Sequence, residues 1–453
     1  MDPEKLSFLE KLGLHRRELR AWAMYNWATT GFYVIVVVAV FPLYFQYVAS
    51  EDFSGTEATR VFATITTLGL VMIAAISPIL GAITDYVAIK KKLLATFVGL
   101  GVVSVAAMFF IQEGDWILAS ALFILANIAV NGSVVFYDSM LPHIASHKEI
   151  DRVSTGAFGV GYAGATVLLI CCLAVIMEPT LFGLPEEGTL PTRLSFVAVA
   201  LWWALFTIPL LLRVPEPPTV ENAKNVQVID AVRGAIGRLL TTFRELKRYK
   251  QAVLMLVAFL IYNDGIGTII RMAAIYGAEI GLEQSVLVGS IVVVQVVGIP
   301  CAFLFGGLAA KIGTKQALFG GLVVYMGISI LGYFMTTGLH FVILAVLVGM
   351  VQGGTQALSR SLFATLIPRQ KAGEFFGFFS VFEKFAGIFG PAIFAVMIYL
   401  TGSSREAILS IIGFFIVGGI LLYFVDIEEG RAQARQAEAE FERDRTIQKG
   451  MKV

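Results

Sequence analysis

Long apolar stretches, each bounded by charged or turn-forming residues, recur twelve times along the 453-residue chain. Each has about 20 residues or more, which is the length of helix that crosses the hydrocarbon core of a bilayer. Because backbone polar groups in lipid must be satisfied within the segment, we expect helices rather than open strands. The predicted spans are 21–48, 60–82, 93–112, 116–141, 153–177, 194–212, 252–278, 284–309, 316–336, 340–366, 375–400 and 406–425.

The longest loop lies between spans six and seven and divides the chain into two halves. Its apolar residues recur at helical spacing with basic residues between them, which predicts an amphipathic helix on the inner leaflet; a solvated linker helix is the alternative. The tail mixes Glu, Arg, Ala and Gln, so we expect a solvated helix without chemistry of its own. The predicted regions are an N-terminal segment 1–20, a six-helix bundle 21–213, a linker 214–250, a second six-helix bundle 251–426 and a tail 427–453.

Composition agrees with an all-α membrane protein of twelve transmembrane helices. The chain is 57% hydrophobic and 15% charged, whereas soluble domains are about 25% charged. Its net charge of +1 gives no indication of nucleic acid binding. His143 and His147 alone make a poor metal site, and no nucleotide-binding or catalytic pattern is recognisable. We therefore expect neither an enzyme nor a bound cofactor or metal.

Basic loop residues predict the orientation. If both termini are cytoplasmic, the loops on the other side hold only three basic residues, Arg60, Arg193 and Arg405. Positively charged loops stay in the cytoplasm, so we predict a multi-pass protein with both termini there. Short outer loops favour a bacterial inner membrane over a vacuole.

The two halves resemble each other faintly. Tyr25 of span one is matched by Tyr262 of span seven, and Asp138 at the end of span four is matched by Arg360 at the end of span ten. Such matches predict two parallel repeats related by an axis normal to the membrane. For Arg360, at the inner end of its span, we predict an ion pair in an inner gate.

The loop between spans two and three carries the most specific short motif. Gly81 and Asp85 precede a run of lysines that begins with Lys90 and Lys91. Gly81 permits close helix approach, and Asp85 can cap a helix N-terminus in the other half, where the helix dipole favours negative charge. The lysines can pair with a carboxylate such as Asp138. These contacts would shut an inner gate in one state and release it in another; the alternative is that the lysines only anchor the topology.

Polar residues inside the predicted spans indicate a substrate site. At 1.5 Å per residue, Lys384 lies about 14 Å into span eleven and Asp264 about 18 Å into span seven, close to the midplane. Ionisable residues at such depth usually face a cavity or pathway, and substrate sites of two-repeat transporters lie near the midplane. The predicted substrate-binding residues are Lys384, Asp264, Asn127, Asn131, Gln352, Gln356, Asn26 and Tyr25.

Glu383 and Lys384 are neighbours in the chain, and adjacent helical residues point about 100° apart. We therefore expect one of them to contact substrate and the other a neighbouring helix. Lys384 can hold a carboxylate as a point charge. Carboxyl groups in a low-dielectric site can load and release a proton, so Asp264 and Glu383 are the predicted proton-coupling residues. The alternative is a structural ion pair between Asp264 and Lys384.

The twelve spans and the glycine–acid–basic loop resemble the Major Facilitator Superfamily. A narrower resemblance rests on Ala21–Ala28 with Phe41–Phe45, on Tyr262–Gly265, and on the stretch from Gly353 to Pro391. These segments are similar to the vacuole-effluxer-like permeases, which are fungal vacuolar amino-acid exporters and their bacterial relatives. The resemblance implies a major facilitator fold, an amino acid or similar small organic solute as substrate, and export from the cytoplasm.

Four sites depart from that pattern, one of them Thr29–Thr30, where the family often has Asn-Ser. Asn26 stands where the family usually has an acid, Ala310 where the superfamily favours aspartate, and Glu383 where a small residue is expected, whereas Lys384 matches. We predict a monomeric, proton-coupled secondary transporter that works by alternating access and contacts a small-molecule substrate, membrane lipids and protons. A multidrug or lipid exporter is one alternative; a transporter-derived sensor or interaction protein without transport is another.

Overall fold

The computed structural model describes residues 7–53, 55–86, 88–218, 246–387 and 389–450, and these are helical between short turns. Within them, eleven helical segments are apolar and long enough to cross a membrane, and they coincide with eleven of the twelve predicted spans. The helices of the first half are α1 Phe8–Lys11, α2 Arg17–Phe32, α3 Phe41–Tyr44, α4 Gly55–Tyr86, α5 Lys90–Ala107, α6 Trp116–Ile144, α7 Ile150–Met177 and α8 Leu190–Arg213.

The second half repeats this plan after the linker, whose predicted amphipathic helix lies outside the described residues. Its helices are α9 Lys250–Glu279, α10 Gln284–Ile312, α11 Thr314–Tyr333, α12 Gly338–Thr365, α13 Ala372–Phe385, α14 Phe389–Thr401, α15 Ser404–Ser410, α16 Ile412–Phe424 and α17 Ile427–Gly450.

Span one is one continuous helix of changing type. Between α2 and α3 the segment Tyr33–Ala39 is π-helical, and a second π segment, Phe45–Ala49, follows α3. Pro42, in the first turn of α3, has no N–H to give to the preceding turn. π-helical turns are rare and are often found at functional sites.

Span eleven is broken, which corrects the prediction of one continuous helix over 375–400. Helix α13 ends at Phe385 and α14 begins at Phe389. Pro391 cannot donate to the preceding turn, and Gly387 and Gly390 are poor helix formers. The break falls directly after Glu383 and Lys384 and separates the two parts of the span.

The first and last described segments of the chain lie on one face of the molecule, called here the terminal face. Arg16 of the N-terminal segment donates to the Ile144 carbonyl at the end of span four, 2.7 Å away. Arg248, before span seven, pairs with Glu440 of the tail at 2.6 Å. The loops after the even-numbered spans therefore share this face with both termini.

The two bundles cross each other tightly where α4 meets α13 and where α7 meets α10. A Cβ on Gly81 would overlap the Gly373 carbonyl, and a Cβ on Gly306 would overlap the Thr155 hydroxyl. The internal repeat also appears in matching contacts. Tyr25 donates its hydroxyl proton to Ser133 between spans one and four, and the hydroxyl of Tyr262 bonds Ser359 between spans seven and ten.

The tail forms the predicted helix, α17, but it is not simply solvated. Gly430, Ala434 and Ala437 are buried along one side of α17, and a Cβ on Gly430 would lie 2.6 Å from Leu366. Small residues allow close helix approach, so this face packs on the second bundle. The prediction of a freely solvated tail is therefore wrong for this side of the helix.

Candidate functional site

The charged pair of span eleven lies in the last turn of α13, where a cation is favoured by the helix dipole. Lys384 Nζ and Glu383 Oε2 are 3.2 Å apart, and the Glu383 side chain is 37% exposed against 13% for Lys384. The two side chains meet at their tips, because both are long enough to converge beyond their Cα atoms; that one of them contacts substrate and the other a neighbouring helix stays a prediction. Both lie close enough to Asp138 to interact electrostatically across the bundles.

A polar wall from the first bundle stands opposite. Asn131 donates to the Asn127 carbonyl at 2.8 Å and Asn127 to the Phe123 carbonyl at 2.9 Å. The Tyr33 hydroxyl donates to Asn131 Oδ1 at 3.0 Å. Tyr33 is partly buried at the start of the π segment and interacts electrostatically with Glu383. Its only sequence signal was a polar group inside a span.

Asp264 lies at the break in span eleven rather than beside Lys384. Its Oδ2 accepts the Gly390 N–H at 2.9 Å, which places the carboxylate at the positive end of α14. Its Oδ1 is buried without a hydrogen-bond partner among the described residues. The alternative ion pair between Asp264 and Lys384 is absent from the contacts of those residues.

Arg271, two turns further along α9, also reaches this break. Its guanidinium lies against the bare backbone of Gly267 and Gly387, since a Cβ on either glycine would come within about 3 Å of its nitrogens. Asp264 is the acid that faces it. The break is thus bordered by one carboxylate and one guanidinium, both from α9.

The remaining predicted site residues are placed differently. Gln352, Gln356 and Asn26 are partly exposed, and the described contacts do not join them to the charged pair. Tyr25 is fully buried, with its hydroxyl bonded to Ser133 and its ring packed on Tyr137 at 4.8 Å. In this conformation Tyr25 supports the helices around it rather than lining an open path.

An ion pair joins the bundles between the midplane and the terminal face. Arg360 Nη1 donates to Asp138 Oδ1 at 2.9 Å, and both side chains are buried. Arg360 also donates through Nε to Ser154 Oγ at 3.0 Å and through Nη2 to the Ser154 carbonyl at 3.1 Å. Its guanidinium lies 4.9 Å from the ring centre of Trp22 and 4.8 Å from that of Phe158. The ion pair expected for Arg360 is present, with Asp138 as its partner.

The glycine–acid–basic loop closes the crossing of α4 and α13. Asp85 accepts the Gly373 N–H at 2.9 Å and the Glu374 N–H at 2.8 Å, so it caps the first turn of α13 as expected. Lys90 Nζ lies 3.3 Å from Asp85 Oδ1. The expected pairing of the lysines with Asp138 is wrong, because Asp138 is taken by Arg360. The Lys91 backbone N–H instead donates to Glu216 at 3.1 Å.

A third contact between the bundles was not predicted. Asp151, at the start of α7, accepts from Thr314 Oγ1 at 2.6 Å and from the Ser361 hydroxyl. Ser154, one turn on, donates to the Ala357 carbonyl at 2.7 Å. In sequence Asp151 looks like any acid in the first turn of a helix, which is why pattern alone did not single it out.

These contacts share one location. The contacts between the bundles named above lie from the midplane towards the terminal face, and among them the hydroxyls of Ser77 and Ser380, 3.3 Å apart, lie nearest the midplane. The arrangement is a two-bundle helical protein held shut at one face, with polar and charged groups at mid-depth.

Eleven unbroken spans and one broken span among the described residues, arranged in two bundles with this crossing, are typical of the major facilitator class of membrane transporters. The fold is similar to that of FucP, a major facilitator transporter in an outward conformation, with a TM-score of 0.63 at 14% identity over 92% of this chain and 99% of FucP. It is also similar to the human organic anion transporter MFSD10, with a TM-score of 0.66 at 13% identity over 93% and 100% of the two chains.

The chain belongs to the family described as vacuole effluxer Atg22 like, whose profile matches residues 53–435. It is 37% identical over 421 residues to YxiO of Bacillus subtilis (strain 168), an uncharacterized MFS-type transporter, covering 93% of this chain and 97% of YxiO. It is 26% identical over 313 residues to autophagy-related protein 22-1 of Neosartorya fischeri, covering 64% of this chain and half of the fungal protein. The protein is therefore a multi-pass transporter and not an enzyme.

Proposed function

We propose that this transporter moves amino acids or similar small organic solutes by proton-coupled alternating access, in the direction of export. The observation that carries the proposal is the Glu383–Lys384 pair at mid-depth, facing the Tyr33–Asn131 wall of the other bundle. A solute with a carboxylate can take Lys384 as its partner, while the Tyr33 hydroxyl and the amides supply neutral hydrogen bonds. The description of the family as vacuole effluxers supports the direction.

The proton is carried by Asp264 or Glu383 in this proposal. Asp264 supports it with one oxygen bonded to Gly390 and the other buried without a partner among the described residues. A proton on that carboxyl would weaken its hold on the positive end of α14. Uptake or release of a proton would thereby act on the outer part of span eleven.

The terminal face is cytoplasmic in this proposal, since it carries nearly all basic loop residues. The closed terminal face then corresponds to an outward-facing state, the state in which FucP is described. A bacterial inner membrane agrees with the similarity to a Bacillus protein over nearly its whole length, and a monomeric state is part of the same proposal.

Counterflow in proteoliposomes tests the transport function. With purified protein and a panel of amino acids, trans-loaded solute should accelerate uptake of labelled solute, and Lys384→Gln should abolish this while the matched control Lys311→Gln, at an exposed lysine of the terminal face, should not. Exchange of amphipathic drugs in place of amino acids would favour a multidrug exporter. Folded protein that exchanges nothing would favour the sensor alternative.

Proton coupling has its own test. Asp264→Asn keeps an oxygen for the Gly390 N–H but cannot release a proton, so uptake driven by a pH gradient should disappear while counterflow remains measurable. Glu383→Gln tests the other carboxylate in the same way. Gradient-driven transport that survives intact in both variants would show that the coupling assignment is wrong.

A further inference from the structure

Arg271 is a charged residue whose side chain turns into its membrane span instead of out of it. Helix α9 runs from the terminal face towards the opposite face, and side chains on a helix lean towards its N-terminus. The Arg271 guanidinium accordingly lies beside Gly267, one turn back along α9, where a Cβ would come 2.9 Å from Nη2. That turn corresponds to about 6 Å of depth, so the charge lies closer to the midplane than its own Cα atom does.

The same guanidinium reaches the break in span eleven. A Cβ on Gly387 would lie 3.0 Å from Nη1 and 3.2 Å from Nη2 of Arg271. Protein interiors are close-packed, so the lack of a side chain at both Gly267 and Gly387 leaves the space that the planar group occupies. The guanidinium is therefore positioned by backbone on two sides, one from α9 and one from the break.

No carboxylate is paired with Arg271 among the described residues. Arg271 is exposed, and it forms neither a hydrogen bond nor an ion pair with any residue that the structure describes. Asp264, two turns back on the same face of α9, is 1% exposed and already accepts the Gly390 N–H. A charge within a span is costly unless it faces a partner, a cavity or a pathway, so Arg271 has the properties of a group that receives an anion from solution.

The Glu383–Lys384 pair lies just before the break. Gly387 is three residues beyond Lys384, which limits the distance between their Cα atoms to about 11 Å. The pair presents one carboxylate and one ammonium, 3.2 Å apart, and these are complementary to the ammonium and the carboxylate that every free amino acid carries. Arg271 adds a second cation, for which the backbone of an amino acid has no partner.

We propose that Arg271 binds a second carboxylate of the solute, so that the transporter prefers acidic amino acids to neutral ones. In the bound state the α-carboxylate takes Lys384, the ammonium takes Glu383 and the side-chain carboxylate takes Arg271, whose paired N–H donors match a carboxylate in geometry. A neutral side chain leaves the guanidinium unpaired. The preference rests on the proposed transport of amino acids, but on neither the coupled ion nor the direction.

Glutamate and glutamine are the probes, because they have nearly the same shape and differ in one carboxylate. In counterflow the parent protein should have a KM for glutamate about 10-fold below that for glutamine, which is the lower end of what a hydrogen bond to a charged group contributes. Arg271→Gln should raise the KM for glutamate to that for glutamine and leave the KM for glutamine unchanged. Arg60→Gln, which removes an exposed arginine near the start of α4, is the matched control and should change neither.

Charge reversal gives a second readout. Arg271→Glu should favour lysine over glutamate, because its carboxylate then faces the ammonium of the lysine side chain. The inference is wrong if the parent protein does not prefer glutamate, or if Arg271→Gln leaves the ratio of the two KM values unchanged. It is also wrong if Arg271→Gln weakens both solutes equally, since that is the effect of a residue that only holds the break.

Thermal stabilisation of the purified protein by glutamate separates this inference from the proposed function. If the parent protein exchanges no amino acid, yet is stabilised by glutamate while Arg271→Gln is not, the carboxylate site stands and the transport of amino acids is refuted. If the parent protein exchanges glutamine and is not stabilised by glutamate, transport stands and the site is refuted. A parent protein that neither exchanges nor binds glutamate or glutamine refutes both.

Discussion

Removal of the Arg360 side-chain charge is the most informative perturbation of the gate. In the closed face its guanidinium is bonded to Asp138 and Ser154 and lies between the rings of Trp22 and Phe158. Arg360→Met keeps a side chain of similar length that can remain between those rings. It leaves the Asp138 carboxylate buried without its cation.

The size of the effect follows from that uncompensated charge. Breaking a buried ion pair by removing one partner costs about 3–5 kcal/mol. The closed face bears this cost, whereas water can solvate Asp138 once the bundles separate. A difference of about 3 kcal/mol corresponds to roughly 150-fold in an equilibrium. We therefore expect the variant to change from a mostly closed to a substantially open terminal face.

Spin labels at Lys148→Cys and Lys311→Cys, on exposed positions of the first and second bundles, measure this shift as distances by electron paramagnetic resonance. The three native cysteines, Cys171, Cys172 and Cys301, are first replaced by alanine or serine so that the labels are unique. The expected result for Arg360→Met is a dominant long-distance population, in detergent and in nanodiscs alike. Arg213→Met, at an exposed arginine at the end of span six, is the control and should leave the parent distribution.

A second substitution tests the reasoning. Adding Asp138→Asn to Arg360→Met removes the stranded carboxylate and leaves a neutral amide, so the double variant should close again in part. If the double variant is as open as Arg360→Met, the buried charge is not the cause of the shift. If Arg360→Met stays closed, the ion pair does not hold the gate.

Other consequences follow from individual contacts. Gly81→Val should disfavour the closed face by about 1–3 kcal/mol, because its side chain would overlap the Gly373 carbonyl. The spin-label distances should therefore lengthen. Gly99→Val is the control and should leave them unchanged, since nothing lies within 4 Å of a Cβ there. Tyr33→Phe should raise the KM of counterflow about 5-fold with little change in maximal rate, because one hydrogen bond contributes about 1 kcal/mol. Tyr47→Phe, at an exposed position of the same span, is the control. Gly390→Ala should lower the thermal unfolding temperature, because a Cβ there would overlap the Thr268 hydroxyl and displace the Asp264 carboxylate from the start of α14. An unfolding temperature equal to that of the parent protein would contradict this.

The spans could be predicted because their cause is local. An apolar stretch of sufficient length has to be helical in lipid whatever its neighbours are, and the described helices begin and end close to the predicted residues. The cap by Asp85 was also predictable, since a glycine and an acid at a span end favour contact with a helix N-terminus. These features depend on a few consecutive residues and on one general property of helices.

The break in span eleven and the partners of its charges depend on distant residues. The break is held by Asp264, which lies 126 positions away from Gly390 in the chain, and no local pattern contains that distance. Adjacent helical residues diverge at their Cα atoms, yet Glu383 and Lys384 meet at their tips. Tyr33 was missed because a tyrosine in a span is usually packing, and its role depends on reaching Asn131 from another helix.

The two crossings of the bundles differ in which helix supplies the acid. At the crossing of α4 and α13 the acid is Asp85, and its cation, Lys90, belongs to the same bundle. At the crossing of α7 and α10 the corresponding position is Ala310, and the acid is instead Asp151 on the opposite partner.

The two crossings differ from the buried ion pair in their response to opening. Asp85 and Lys90 move together when the bundles separate, so their attraction survives and does not oppose the movement. Asp151 and its partners Thr314 and Ser361 belong to different bundles, so opening breaks hydrogen bonds from neutral hydroxyls. The Arg360–Asp138 pair is the contact in which opening pulls two opposite charges apart, while the crossings contribute steric fit and hydrogen bonds.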